Sequence, residues 1–181
     1  FRETLDRESP QIVFLSPRAG ADAYYAQFGW VAAEGVAVPG NETRWSADRA
    51  VLGPDSPVSL TWDNGQGLRF VRTYALDANY MFTISQRVEN RSASAVTLHA
   101  YGLLVRHGTP EVTRFFILHE GLLAVLDGTL KEVDYDDLQE AGEIKVPTTG
   151  GWIGITDKYW LTALIPDQGS QATTRFTDQV V

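Results

Sequence analysis

The sequence predicts an all-β protein made of antiparallel strands. Three observations carry this reading. Apolar residues recur with period two through most of the chain, turn residues punctuate it at short intervals, and a single short stretch has helical character.

Taken in order, Gln11 to Leu15 is an apolar, β-branched run that stops at Ser16-Pro17. Tyr24 to Gly40 is rich in Ala, Gly and Val and reads as one weak strand followed by loop, with a turn at Pro39-Gly40-Asn41. Val58-Ser59-Leu60-Thr61-Trp62 alternates apolar and polar residues, as a half-buried strand does. Asp63-Asn64-Gly65-Gln66-Gly67 follows as a hairpin loop, with glycines to supply positive φ.

The middle of the chain gives the strongest signal. Leu68, Phe70, Tyr74 and Leu76 share one parity, which Arg72 interrupts. After the turn Asp77-Ala78-Asn79, Tyr80, Phe82, Ile84 and Val88 share a face. After Asn90-Arg91-Ser92-Ala93-Ser94, residues Val96, Leu98, Ala100, Gly102 and Leu104 alternate with Thr97, His99, Tyr101 and Leu103. The pattern predicts a meander of long antiparallel strands with one core face, and it makes Phe82 a core position.

Leu122 to Leu126 is a further strand, and Asp127-Gly128 is a two-residue turn into Thr129 to Val133. Tyr135 to Ala141 is the helical piece, ended by Gly142. Trp152 to Thr156 and Tyr159 to Ile165 form the next pair, which makes Trp160 a core residue, and a final strand begins near Ala172. Residues 1–181 therefore read as a single β-sandwich domain. A βαβ architecture would need long amphipathic helices that this sequence lacks.

A chain of 181 residues suffices for one domain with a substantial core, and an apolar fraction of 44% is that of a folded protein. The net charge of −8 argues against nucleic acid and against an anionic membrane surface as direct partners, since both select a basic face. With no cysteine, disulfides, cysteine-held metal and a thiol nucleophile are excluded. No run approaches the ~20 apolar residues that cross a bilayer. Phe1-Arg2-Glu3 opens with neither an initiator Met nor a signal peptide, so the chain reads as part of something longer.

No catalytic template fits. His99, His107 and His119 are the histidines, and His119-Glu120 could do acid–base work on a sugar, the alternative being that each histidine is a surface or locally hydrogen-bonded residue. Leu123 stands where a zincin motif needs its second His. A calcium loop counted from Asp134 has Gln139 where Gly is needed and Lys145 where Glu is needed. Gly65-Gln66-Gly67 leads into a strand rather than a helix, unlike a dinucleotide fingerprint. Trp62, Trp152 and Trp160 follow strand patterns and read as core. Trp30 and Trp45 lie in less regular sequence and are candidate cleft aromatics.

Further motifs carry a family resemblance. They are Arg106-His107-Gly108-Thr109-Pro110, His119-Glu120-Gly121-Leu122, the run from Val125 to Leu138, and Gly150 to Pro166 with its core Gly150-Gly151-Trp152-Ile153-Gly154-Ile155. In this order they resemble the periplasmic domain of YidC-type membrane protein insertases, of the YidC/Oxa/Alb family. The likeness extends upstream through Tyr74 to Leu104 and Trp62-Asp63-Asn64-Gly65-Gln66-Gly67 and is weakest before Val58.

The resemblance implies an antiparallel β super-sandwich similar to the aldose epimerase (galactose mutarotase-like) fold. It implies a place at the periplasmic face of the Gram-negative inner membrane, with further strands before Phe1 and further elements after Val181. It implies an accessory, non-catalytic role without cofactor or metal, toward nascent membrane proteins and accessory subunits of the Sec translocon. The competing readings are a sugar-binding or sugar-processing sandwich of the epimerase type and a structural spacer. A cleft joining His, carboxylate and aromatic walls would favour the sugar reading.

The segment from His119 to Glu143 is the expected partner surface. It joins apolar Leu122, Leu123, Val125 and Leu126 to the acidic residues Glu120, Asp134, Asp136, Asp137, Glu140 and Glu143. An acidic rim of this kind steers a basic partner.

Overall fold

The computed structural model describes residues 2, 4–9, 11–20, 22–109 and 119–178. Among them the strands run β1 (Tyr24–Ala32), β2 (Ser46–Ala47), β3 (Val58–Asp63), β4 (Leu68–Leu76), β5 (Phe82–Asn90), β6 (Leu98–Arg106), β7 (Gly121–Leu126) and β8 (Thr129–Val133). The single helix α1 (Tyr135–Ala141) follows, then β9 (Glu143–Thr149), β10 (Trp152–Thr156), β11 (Leu161–Leu164) and β12 (Gln171–Thr177). Every strand pair with a described register is antiparallel, consistent with the all-β sandwich expected.

The chain forms two compact units, one of Phe1–Gln27 with Gly102–Val181 and one of Phe28–Tyr101. Strands β1 and β6 pair as a two-stranded ribbon.

In the Phe28–Tyr101 unit a sheet runs in the order β2-β3-β4-β5. Phe70 and Leu68 from β4 and Trp30 from β1 are its buried core, with Val36, Val38, Trp45, Trp62, Val88, Val96 and Leu98 packed around them. Trp30 meets Phe70 edge-on at 5.1 Å, and Trp62 lies 5.6 Å from Phe70. Arg72, the residue that breaks the apolar parity of β4, has its guanidinium 5.3 Å from the Trp30 ring and 4.9 Å from the Trp45 ring. Indole faces attract a cation, so the charge stays within an aromatic wall.

The other unit contains the sheet β11-β10-β7-β8 and the pair β12-β9. Leu122, Ala124 and Leu126 of β7, Leu138 of α1 and Phe176 of β12 form its core. Asp127 (φ 49°) and Gly128 (φ 76°) make the tight β7–β8 turn that the sequence predicts.

Four expectations need correction. Gln11 to Leu15 is not a strand. It makes only the isolated bridge Arg2↔Gln11, and Val13 and Leu15 are exposed. Phe82 is 51% exposed rather than core, and Tyr80 is exposed too. Parity identifies a face but not which end of it is covered. Core residues Leu68 and Phe70 pair with Asn90 and Val88, whereas Phe82 pairs with Leu76 at the opposite end of the hairpin. Apolar β7 is not a surface strand, because β10 and β8 flank it and its Leu122 and Leu126 fill the core. Finally, β6 does not continue the β4–β5 meander, because it pairs with β1 instead, and β9 and the two-residue β2 are not expected from the sequence. In β9, Ile144, Val146 and Thr148 do alternate, but Pro147 argues against a central strand, and β9 lies in a two-stranded sheet where a proline is tolerated.

Candidate functional site

The acidic segment is built around α1. Asp134 is its N-cap residue, in an extended conformation, and Asp136 and Asp137 stand in the first turn, where the helix dipole favours negative charge. Leu138 anchors the opposite side in the core, which leaves the acidic side in water. The six acidic candidates divide into three kinds. Glu120 is buried, 9% exposed. Asp134 pairs with His119 Nδ1 at 3.3 Å, and Glu143 pairs with Arg175 Nε at 2.7 Å. Asp136, Asp137 and Glu140 are exposed and make no ion pair among the described residues. The partner of His119 is thus Asp134, not adjacent Glu120, and the ring's Nε2 lies 2.9 Å from the Leu122 carbonyl. This clamp ties the start of β7 to the cap of α1.

Beside it lies a half-buried polar group. Arg106, at the end of β6, forms an ion pair with Asp157 in the β10–β11 turn. The Arg106 guanidinium also lies 5.0 Å from the Tyr24 ring. Burial pushes the Tyr135 hydroxyl up to about 12 and raises that of Tyr24 as well. Among the described residues the buried Tyr135 hydroxyl has no hydrogen-bond partner. An ion pair thus joins two distant stretches, and the Tyr24 ring lies against it.

Of the candidate cleft aromatics, Trp30 is 6% exposed and Trp45 packs on the same core, their rings 6.5 Å apart. An open cleft of about 240 Å³ occurs nearby in the same unit, lined by Arg44, Ser46, Thr61, Trp62, Asp63 and Arg69. No histidine lines it. Among the described residues no group of three or more His, Asp or Glu is arranged to hold a metal.

The Gly150 to Gly154 stretch has a steric explanation. Gly151 (φ 77°) brings its Cα so close to β7 that an added Cβ would lie 2.2 Å from the Val125 carbonyl oxygen. A Cβ on Gly154 would lie 2.5 Å from the Thr162 carbonyl oxygen of β11. The Gln168 amide bonds both the N–H and the carbonyl of Gly151, each at 3.0 Å. Glycine at these positions allows β7, β10 and β11 to come together.

Fold and site together define an antiparallel all-β domain of the sandwich type. The chain belongs to the YidC periplasmic domain family, whose model matches residues 1–181. It is similar to proteins named Membrane protein insertase YidC. That of Granulibacter bethesdensis is 46% identical over 185 residues, covering 98% of this chain and 32% of the relative. That of Bradyrhizobium diazoefficiens is 47% identical over 184 residues, covering 100% and 30%. That of Methylorubrum extorquens is 46% identical over 189 residues, covering 99% and 31%. The chain therefore spans about a third of the length of these relatives. No helix among the described residues is long and apolar enough to cross a membrane.

Proposed function

We propose that this chain is the accessory, non-catalytic periplasmic part of a membrane protein insertase. It helps to insert and fold inner-membrane proteins, alone or with the Sec translocon, from the periplasmic face of a Gram-negative inner membrane. The supporting observation is the family match along the whole of residues 1–181, together with relatives that carry the insertase name.

In this reading residues 1–181 act as one domain, and the exposed acidic side of α1 meets the partner. Asp136, Asp137 and Glu140 are exposed on a helix that Leu138 fixes to the core. Such a rim raises association rates with a basic surface and loses its effect as salt screens it. Asp136→Lys with Asp137→Lys should slow association with purified Sec accessory subunits at low salt and leave the fold intact. Association rates equal to those of the parent chain would reject this surface. Removing the segment from a full-length insertase should weaken insertion of a reporter membrane protein without abolishing it. Complete loss would reject the accessory role.

A further inference from the structure

The tip of the β4–β5 hairpin is tightly organised and strongly apolar. The Asp77 carboxylate accepts hydrogen bonds from the amides of Asn79 (2.8 Å) and Met81 (2.9 Å). The Tyr80 amide donates to the Asp77 carbonyl, and the Asp77 amide to the Met81 carbonyl, both at 3.1 Å. Tyr80 adopts φ 63°, a left-handed conformation unfavourable for a residue with a Cβ. All this order presents apolar side chains to water: Tyr80 is 79% exposed, Met81 57% and Phe82 51%. Val51, 73% exposed, belongs to the loop that leads into β3 at Val58. Val58 pairs with Tyr74 and Leu76 with Phe82, so that loop leaves the sheet at the same end as the hairpin tip.

Three features specify what this end would meet. The amides of Asp77, Asn79, Tyr80 and Met81 are bonded within the tip, so it can leave water without stranding those donors. Its side chains are of the type found where hydrocarbon meets headgroups, with Tyr polar at one end and Phe and Met apolar. Charge is nearly absent: from Leu76 to Gln86 the one charged residue is Asp77, which is committed to the turn. On the neighbouring loop Asp48 and Arg49 lie 3.9 Å apart, leaving no basic patch to seek anionic lipid. A protein held at a bilayer by other segments needs only weak surface affinity, because tethering supplies a high effective concentration.

We propose that Tyr80, Met81 and Phe82, with Val51 at the same end of the sheet, form a membrane-interface anchor that dips into the headgroup–acyl boundary of a zwitterionic phospholipid bilayer. The assignment rests on the reading of this chain as part of a membrane-resident insertase.

The chain has no cysteine, so Met81→Cys can carry a single nitrobenzoxadiazole probe. The labelled chain is tethered through a C-terminal histidine tag to phosphatidylcholine vesicles containing a small fraction of nickel-chelating lipid. Emission should shift to the blue and become quenched by doxyl-labelled lipid, at low and high salt alike. A probe at exposed Gln171 (Gln171→Cys) should stay in water. The triple change Tyr80→Asn, Met81→Ser, Phe82→Thr keeps residues suited to the turn and strand. It should lower partitioning of the untagged chain onto phosphatidylcholine vesicles about tenfold or more, with an unchanged circular dichroism spectrum.

A Met81 probe that stays water-exposed on the tethered vesicles overturns the anchor. Shielding by purified Sec accessory subunits and not by lipid likewise overturns it, while leaving the insertase reading in place. Failure of the acidic-rim and deletion tests would reject the partner surface and the accessory role without altering the vesicle result.

Discussion

Arg106 and Asp157 stand 51 residues apart in the chain and meet through Arg106 Nη1 and Asp157 Oδ2. One closes β6 and the other opens the β10–β11 turn, where the Asp157 amide donates to the Trp160 carbonyl. Both side chains are largely shielded from water, so removing one partner leaves the other as an uncompensated charge.

Arg106→Ala should therefore destabilise the chain by about 3 kcal/mol, the lower end for a broken buried pair. Arg106→Met combined with Asp157→Leu should recover most of that loss, since an apolar replacement leaves no stranded charge. Urea denaturation of the three variants measures both effects. A double variant no more stable than Arg106→Ala would show that the pair is not acting as a buried unit.

Gly151→Ala should cost about 2–4 kcal/mol, because it combines a left-handed backbone with a Cβ driven into the Val125 carbonyl. Gly128→Ala has the same handedness of φ but open space around it. It should cost about 1 kcal/mol. Thermal melts of the two variants separate the steric contribution from the conformational one, and equal losses would remove the steric explanation.

Phe70→Ala should cost about 3–5 kcal/mol, as expected for a fully buried aromatic ring. Phe82→Ala should change stability by no more than about 0.5 kcal/mol, as exposed positions do. Chemical denaturation of the pair reads out which end of the β4–β5 hairpin is covered.

Stability should fall as pH rises from 10 toward 12. In the unfolded chain Tyr135 ionises near its ordinary value of 10.0, whereas in the folded chain burial holds its proton to about 12. Between those values the unfolded state binds fewer protons, so stability decreases with pH; below pH 10 the contribution is intact. Tyr24 is shifted in the same direction. Tyr135→Phe should flatten this alkaline slope. It should also stabilise the chain at neutral pH by about 1 kcal/mol, by removing a buried hydroxyl without a partner. Melting temperatures of both proteins across the alkaline range provide the check.

Much of the fold was legible because strand periodicity is a local property. Leu68 and Phe70 show their face in the sequence, and Asp127-Gly128 announces its turn. Coverage is not local: nothing in Tyr80 to Phe82 says that the core lies at the other end of the sheet. The break at Arg72 looks like a violation until Trp30 and Trp45, distant in sequence, close on its guanidinium. The acidic residues were legible as a group but not in their individual states. His119 pairs with Asp134 rather than with its neighbour because Glu120 turns inward. Apolar β7 reads the same as a docking strand or a core strand until its flanking strands are known.

The order in which the chain becomes available follows from its division. The Phe28–Tyr101 unit is contiguous, whereas the other unit needs both the N-terminal segment and residues after Gly102. A chain delivered N-terminus first has every residue of the contiguous unit once Tyr101 emerges, while Tyr24 must wait for Arg106 and Leu122 for Phe176. The ring cluster of Trp30, Phe70 and Trp62 should accordingly gain protease protection in nascent chains stalled near residue 109. Protection that arises only after β12 emerges would show that the contiguous unit does not form during delivery. Early closure would limit how long its long β4 and β5 strands stay open to mispairing with other emerging chains.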